Sequence, residues 1–151
     1  MRRSSALLAV SALLFPTAQA SAQVTALRNL AFGTIVSGTT TSVSKTSVSA
    51  AQWSIAGTFL AGGTFQLTLP TTLTGPGTAI PITFSATDGL RNTANNPATG
   101  TTFNPSTTQT IPAAPLSTTI YVWLGGSVSP PLNQAPGNYS GNVVLTVTGM
   151  L

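Results

Sequence analysis

Apolar residues recur at every second position in several short runs, and this alternation constrains the fold of the chain more than any other feature. From Phe65 to Leu69, three apolar side chains alternate with Gln66 and Thr68. A period of two puts successive side chains on opposite faces of a half-buried strand. Other sets share this pattern: Leu30, Phe32 and Val36; Trp53, Ile55 and Phe59; Ile80, Ile82 and Phe84; Ile120, Val122 and Leu124; and Tyr139, Val143, Leu145 and Val147. Because no run beyond residue 22 repeats with the helical period of about 3.6 residues, we predict an all-β protein.

Turn signals rich in glycine and proline separate the alternating runs. They are Gly62-Gly63, Gly75-Pro76-Gly77, Asp88-Gly89, Gly125-Gly126 and Pro136-Gly137. About seven short strands at this spacing predict a β-sandwich with Greek-key connections, in a single domain over residues 23–151. We expect Thr40–Ser49 to be an edge strand, because Lys45 would discourage pairing with another sheet. The stretch from Thr87 to Pro105 is expected to be a long mobile loop.

The first 22 residues are typical of a secretory signal peptide. Arg2 and Arg3 precede an apolar run over residues 6–15, and small residues then fit cleavage after Ala20 or Ala22. The run is too short to span a bilayer as a helix, which needs roughly 20 apolar residues. We therefore expect export to the periplasm, the outer surface or the medium, with no membrane span after cleavage.

Charge is scarce in the remaining chain, and this excludes several classes of partner. Beyond residue 22 the ionisable side chains of fixed charge are Arg28, Lys45 and Arg91 against the carboxylate of Asp88, so three cations less one anion leave +2. Scattered cations do not form the basic patch that nucleic acid requires. The chain has no cysteine, so no disulfide can support an exported fold. Roughly 130 residues can bury a sufficient core instead.

The residues that most enzymes use are missing. The sequence has no histidine, no cysteine and a single Asp or Glu, which is Asp88. Paired-carboxylate chemistry needs two such groups, and a transition-metal site needs several ligands. Asp88 precedes a glycine and fits a turn. We predict no catalytic activity, no metal site and no cofactor.

Tyr121 and Trp123 are the most distinctive pair of side chains. If Ile120, Val122 and Leu124 face the core, both aromatic rings lie on the opposite face of the same strand. Exposed there, they would be a candidate surface contact for a glycan or for another subunit. The alternative is that loops cover them.

Short motifs at both ends of the domain resemble a known family. Leu30-Ala31-Phe32-Gly33-Thr34-Ile35 is similar to the "L-x-F-G-x-I" opening, and residues 134–141 (QAPGNYSG) to the "Q-x-P-G-x-Y-x-G" ending, of secreted bacterial domains of unknown function. Residues 121–126 (YVWLGG) resemble an intervening strand of that family, although Trp123-Leu124 departs from the usual sequence of that strand. A similar ending occurs in spore coat protein U-like subunits and in archaic chaperone–usher pilins.

The resemblance implies an immunoglobulin-like or pilin-like sandwich that assembles by β-strand addition. In such assemblies a segment of one subunit completes the sheet of the next. The corresponding strand-exchange segment would be Val24, Ala26 and Leu27, and the partners would be further copies or similar subunits and a periplasmic chaperone. Arg28 shares the parity of Val24 and Ala26, which would place a charge on the inserted face.

Two hypotheses of function follow. The first is a secreted structural or surface-assembly subunit, pilin-like or coat-like, without catalytic activity. The alternative is an extracellular binding module, recognising a glycan or a surface, with a self-complete sandwich.

Overall fold

Short antiparallel strands make up most of the regular structure in the computed structural model, which describes residues 23–149. The predicted signal peptide at residues 1–22 lies outside the described residues. The elements, in order, are β1 (Gln23–Arg28), β2 (Thr41–Val43), β3 (Ala51–Phe59), β4 (Gly63–Thr68), β5 (Thr72–Leu73), β6 (Ile80–Thr83), β7 (Gly89–Asn92), a 3-10 turn (Pro97–Thr99), β8 (Thr101–Phe103), β9 (Gln109–Ile111), β10 (Ala114–Leu124), β11 (Gly126–Val128) and β12 (Val144–Thr148). The only helical element in this part of the chain is the short turn, so no described helix could cross a membrane.

The strands form three antiparallel sheets. The largest has the order β1-β3-β10-β7-β8, and the two smaller sheets have the orders β2-β11-β6-β5 and β12-β4-β9. Every strand pair described is antiparallel. The prediction of an all-β sandwich is therefore confirmed.

The main core lies between the five-stranded sheet and the β12-β4-β9 sheet. Phe65 of β4 meets Phe103 of β8 edge-to-face across this interface, with ring centroids 5.4 Å apart and an interplanar angle of 87°. Such edge-to-face pairs are favoured because the positive edge of one ring meets the negative face of the other. Around them pack the inward residues of β3, β4 and β10: Ala51, Trp53, Ile55, Phe59, Leu67, Ile120, Val122 and Leu124.

A second apolar cluster lies beneath the β2-β11-β6-β5 sheet. It is built from Leu73, Ile80, Ile82 and Val128, and Leu30 packs against both clusters. The segment after β1 is coil. Leu30 and Phe32 pack inward as predicted, but the prediction that Val36 shares their face is wrong. Gly33 has a φ of 69°, which turns the backbone out of its extended path. As a result Ile35 packs on the cluster, whereas Val36 is 70% exposed.

The Thr87–Pro105 stretch differs from the expected loop. It contains β7, the 3-10 turn and β8, and β7 pairs in register with both β8 and β10. The Asn92 amide donates to Asn96 O at 2.7 Å and to Thr99 Oγ1 at 3.0 Å, so the tip of this hairpin is internally bonded. We call residues 93–100 the cap.

Two further differences concern strand boundaries. In the Thr40–Ser49 stretch only Thr41–Val43 is a strand, but its position at a sheet edge is confirmed. Tyr139 lies in the irregular segment before β12 rather than in the strand. With these interruptions the described residues contain twelve strands, more than the seven or so expected from the alternation.

Gly125 sits where the chain leaves β10 for β11 and crosses from one sheet to another. Its N–H donates to Asp88 O at 2.9 Å. A Cβ atom at this position would lie 2.7 Å from the backbone nitrogen of Lys45 and closer still to the carbonyl oxygen of Val43. The crossing therefore requires a residue without a side chain.

We predict that Gly125→Ala lowers the free energy of unfolding by about 1–3 kcal/mol, because Val43 is the last residue of β2 and cannot move without disturbing that strand. Chemical denaturation of the purified protein measures the change. Gly33→Ala is the matched control: a Cβ there meets nothing within 4 Å, and only the positive φ opposes it. Gly33→Asn should lower the free energy of unfolding less than Gly33→Ala does, because asparagine tolerates that backbone conformation. At Gly125 the cost is steric, so no residue with a side chain should restore stability. Equal stability of Gly125→Ala and the wild type would contradict the steric argument.

Candidate functional site

The predicted strand-exchange segment forms β1, an edge strand of the five-stranded sheet. β1 pairs only with β3 among the described strands, with Val24 opposite Ile55 and Ala26 opposite Trp53. Val24 is 39% exposed and Leu27 is 44% exposed, and all of β1 except its last residue is exposed. β1 is therefore held chiefly by main-chain pairing, with little burial of its own side chains.

A register shift in β1 resolves the difficulty that Arg28 posed in the sequence. The pairing shifts between Ala26 and Arg28, so Ala26 lies opposite Trp53 while Arg28 lies opposite Gln52. Trp53 and Gln52 are adjacent in β3 and point to opposite faces. Arg28 is thus removed from the face of Val24 and Ala26, and its guanidinium donates to Val48 O at 3.2 Å. The expectation that Arg28 shares their face is wrong, because a bulge changes the parity.

β12 forms a second free edge on the same side of the sandwich. It pairs with β4 from Val144 to Thr148, and no other described strand pairs with it. At the opposite edge of this small sheet, β9 is tied to β7 by a 2.6 Å hydrogen bond from Arg91 to Thr110 O. Because β9 lies over the β7 side of the large sheet, β12 lies toward its β3–β1 side.

We call the side bounded by β1 and β12 the open side, and it is the candidate functional site. The inward side chains of β12, Leu145 and Val147, pack on the main core but remain only partly buried. Across from them, Val24 and Ala26 are exposed beside the core residues of β3. Neither sheet edge is covered by another described strand, and main-chain donors and acceptors at such edges can bind a further strand.

Trp123 does not lie at the surface, which corrects the expectation of an exposed aromatic pair. It is 0% exposed and lies between Gln52 of β3 and Leu90 of β7 on the outer face of the large sheet. Gln52 donates to Asn95 Oδ1 of the cap at 2.7 Å, and Gly100 of the cap packs against Leu90. The cap therefore covers Trp123, in agreement with the alternative that loops cover the aromatic pair.

Tyr121 is half-buried, with its ring 6.0 Å from that of Trp123.

A polar cleft of about 530 Å³ lies at the end of β2, lined in part by Ser42, Lys45, Asp88 and Ser127. Its polar groups bond mainly to one another. The hydroxyls of Ser42 and Ser127 are 2.7 Å apart, and Asp88 accepts from the backbone N–H of Ser85 at 2.7 Å. Asp88 thus serves a turn. Within residues 23–149, no three histidine, cysteine or acidic side chains come together as metal ligands.

The cations of the described residues donate to main-chain carbonyls. The Lys45 ammonium donates to Thr87 O at 2.6 Å and to Thr102 Oγ1 at 2.7 Å. Arg91 and Arg28 bind carbonyls in the same way, as described above. Each cation thereby links segments that are distant in sequence, which is a structural use of the charge.

Comparison with known proteins places the chain in a family. The model of a family described as "Domain of unknown function (DUF4402)" matches residues 22–148. The chain belongs to this family. The match begins next to the predicted end of the signal peptide. No curated protein and no solved structure matches the chain.

The motifs that carried the resemblance hold the DUF4402 fold together. In the ending motif, the Tyr139 hydroxyl donates to Ala135 O at 2.9 Å and accepts from Gly77 N at 3.0 Å. Gln134 also donates to that hydroxyl and to Thr78 O. Tyr139 thus joins the segment before β12 to the turn after β5. In the opening motif, Leu30 bridges the two apolar clusters.

The sequence predicted the strand-exchange segment but missed the free edge of β12. The alternation of Val143, Leu145 and Val147 indicates a strand, and nothing in it says whether that strand has one neighbour or two. The sequence also did not predict that the cap covers Trp123, because the polar composition of Thr87–Pro105 indicates only a loop.

We predict that Trp123→Ala lowers the free energy of unfolding by about 3–5 kcal/mol, as expected for a fully buried indole. Tyr121→Ala, on the same face and half-buried, should cost at least two-fold less. Thermal and denaturant melts of both variants measure the difference. A Trp123→Ala variant as stable as the wild type would show that the ring is exposed in solution and would restore the aromatic-contact hypothesis.

We also predict that Tyr139→Phe lowers the free energy of unfolding by about 1–2 kcal/mol, since it leaves Gly77 N and Ala135 O without their partner. Denaturant unfolding again gives the value. Tyr121→Phe is the matched control, because its hydroxyl makes no hydrogen bond among those described, and it should change stability by a smaller amount. Equal effects of the two substitutions would refute the role of the Tyr139 hydroxyl.

Proposed function

We propose that this DUF4402 domain is an exported structural subunit of a surface assembly, joined to its neighbours by β-strand addition and without catalytic activity. The observation that carries the proposal is the open side, where two sheet edges lie free beside one core. An unprotected sheet edge such as that of β12 templates pairing with other chains, and an edge strand that buries few of its own side chains, such as β1, can be exchanged between subunits.

The exposure of β1 supports exchange of this strand between subunits. β1 covers the β3 edge beside Trp53 and Ile55, which are 8% and 0% exposed. A strand is needed at that position, yet the side chains of β1 are themselves mostly exposed. The same β1 from a neighbouring copy would make identical contacts, so exchange costs little in contacts and converts an internal pairing into a link between subunits.

The face that such a strand presents is apolar and small. Val24 and Ala26 point to the core side, and the bulge directs Arg28 to the other face. Pilin-like subunits use an N-terminal strand in the same manner, and the ending motif resembles theirs. By the same likeness, a periplasmic chaperone is the proposed partner that holds the subunit before assembly.

The chemical inventory supports a structural role. Asp88 is the one carboxylate side chain of the whole sequence, and it is bonded to the backbone of a turn. No second carboxylate, histidine or cysteine stands beside it to act as a base, nucleophile or metal ligand. Lys45 is occupied by two hydrogen bonds.

An extracellular binding module is the second candidate, and the polar cleft beside Lys45 is the observation that favours it. Hydroxyl-lined clefts suit polar ligands such as glycans, but such sites usually also offer convergent free polar groups or an aromatic ring. Here the Ser42 and Ser127 hydroxyls bond to each other, and Trp123 is buried away from the cleft.

The absence of native cysteine allows a direct test of strand exchange. Thr25 of β1 and Ser54 of β3 are opposite partners in the antiparallel ladder. Cα atoms of such partners are about 4.5–5.5 Å apart, within the range of a disulfide. We predict that the double variant Thr25→Cys, Ser54→Cys, exported as the full chain from a diderm bacterium, forms disulfides between subunits. Boiled, non-reduced samples should show a covalent ladder that collapses to monomer with reductant.

The matched control is Ser42→Cys, Ser127→Cys, a partner pair between β2 and β11 inside one subunit. It should give a covalent monomer and no ladder. A covalent monomer from the Thr25–Ser54 pair as well would mean that β1 stays in its own subunit, and exchange would be ruled out. A native monomer with a cooperative melt would then favour the binding module.

A further inference from the structure

Among the described sheet edges, that of β12 is the longest regular one that has no feature to prevent pairing with another strand. Its ladder with β4 runs without a register shift over all five residues from Val144 to Thr148. The strand has no charge and no proline, and its side chains are Val, Leu and Thr. A flat uncharged edge of this kind is a template for another strand.

Every other sheet edge in the described residues is blunted in some way. β5 has two residues, and β2, β8 and β9 have three each. β8 is also covered at Thr102 by the Lys45 ammonium, and Pro112 follows β9 directly. β1 carries a bulge and ends in Arg28. Short strands, bulges, prolines and lysines are the devices by which natural sheets prevent edge pairing, and β12 has none of them.

A strand that can pair with this edge is β12 of a second copy. In an antiparallel pair around a two-fold axis, residue i lies opposite a residue of the same parity, so inward side chains meet inward ones. An axis through Thr146 pairs all five residues. It puts Leu145 opposite Val147 on the core side and Val144 opposite Thr148 on the outer side, with Thr146 facing its own copy. Apolar and Thr–Thr cross-strand pairs of this kind are stabilising.

The charges of the chain favour a copy of itself over a charged partner. β12 offers no ionic contact, and beyond residue 22 the chain carries only +2 from its side chains. Two copies therefore approach with little repulsion, and no complementary charge selects another protein.

We infer that β12 pairs edge to edge with β12 of a second copy of this chain, centred on Thr146. This inference rests on the proposed assembly function and names the partner of one edge of the open side. The pairing joins two three-stranded sheets into a continuous six-stranded sheet. The main-chain groups that it uses belong to β12 alone and take no part in the β1–β3 ladder.

A single cysteine at the two-fold position tests this pairing. In Thr146→Cys the two new thiols face each other across the axis, and mild oxidation of the full exported chain should trap a dimer. Boiling before non-reducing electrophoresis dissociates subunits that are joined only by strand exchange. A dimer that survives boiling is therefore linked through the cysteine in β12. Gln66→Cys is the matched control, since Gln66 lies opposite Thr146 on the same face, one strand in from the edge. We expect at least ten-fold more dimer from Thr146→Cys.

The register is tested by two further variants. Thr148→Cys and Val144→Cys should each give little dimer alone but a disulfide-linked heterodimer when both are expressed together. Dimer yields that do not differ between Thr146→Cys and Gln66→Cys would overturn the inference. If the Thr25–Ser54 ladder still forms, assembly by β1 stands without the β12 contact; if neither forms, the proposed function falls as well.

Discussion

Main-chain hydrogen bonding between antiparallel strands is the interaction on which the rest of this structure depends. The sequence has no disulfide and one side-chain carboxylate, so the buried polar groups of the backbone must find partners in the ladders. The three-sheet arrangement satisfies them inside the molecule but leaves them unpaired at its edges. The fold and the proposed assembly therefore have the same physical source: each free edge continues the pattern of bonds that holds the interior.

The sequence predicts the strands well where a run is both alternating and uninterrupted. Phe65 and Leu67 of β4 and Ile120, Val122 and Leu124 of β10 all lie in the main core as expected. The expectation fails where one residue changes the parity. Gly33, with its positive φ, transfers the packing position from Val36 to Ile35, and the bulge before Arg28 reverses the face of that residue. A pattern of period two cannot reveal such a change, because the same letters fit both parities.

Whether a strand lies at a sheet edge, and whether a loop covers a side chain, is decided by tertiary structure. For this reason the sequence predicted only the β1 part of the candidate site. The likeness to pilin-like subunits pointed to Val24, Ala26 and Leu27, which form an edge strand. The burial of Trp123 depends on the Gln52–Asn95 contact, between residues 43 positions apart. The free edge of β12 depends on which strands are absent beside it. Local alternation carries no signal for either.

The residues that carried the resemblance to the family contribute to the architecture. Tyr139, Leu30 and Gly125 fix a turn, a junction of two clusters and a crossing between sheets. Because these residues are occupied in holding the fold, the edges of the sheets are the surfaces left to carry the proposed assembly function.

The cations of the described residues have a consequence for the setting in which the domain is proposed to work. Arg28, Lys45 and Arg91 all donate to carbonyl oxygens, which neither titrate nor exchange counter-ions as carboxylates do. A protein outside the cell meets fluids whose acidity and salinity the cell does not control. Because its cations are bonded to main-chain carbonyls, the domain would offer such fluids few ion pairs that acid or salt could break.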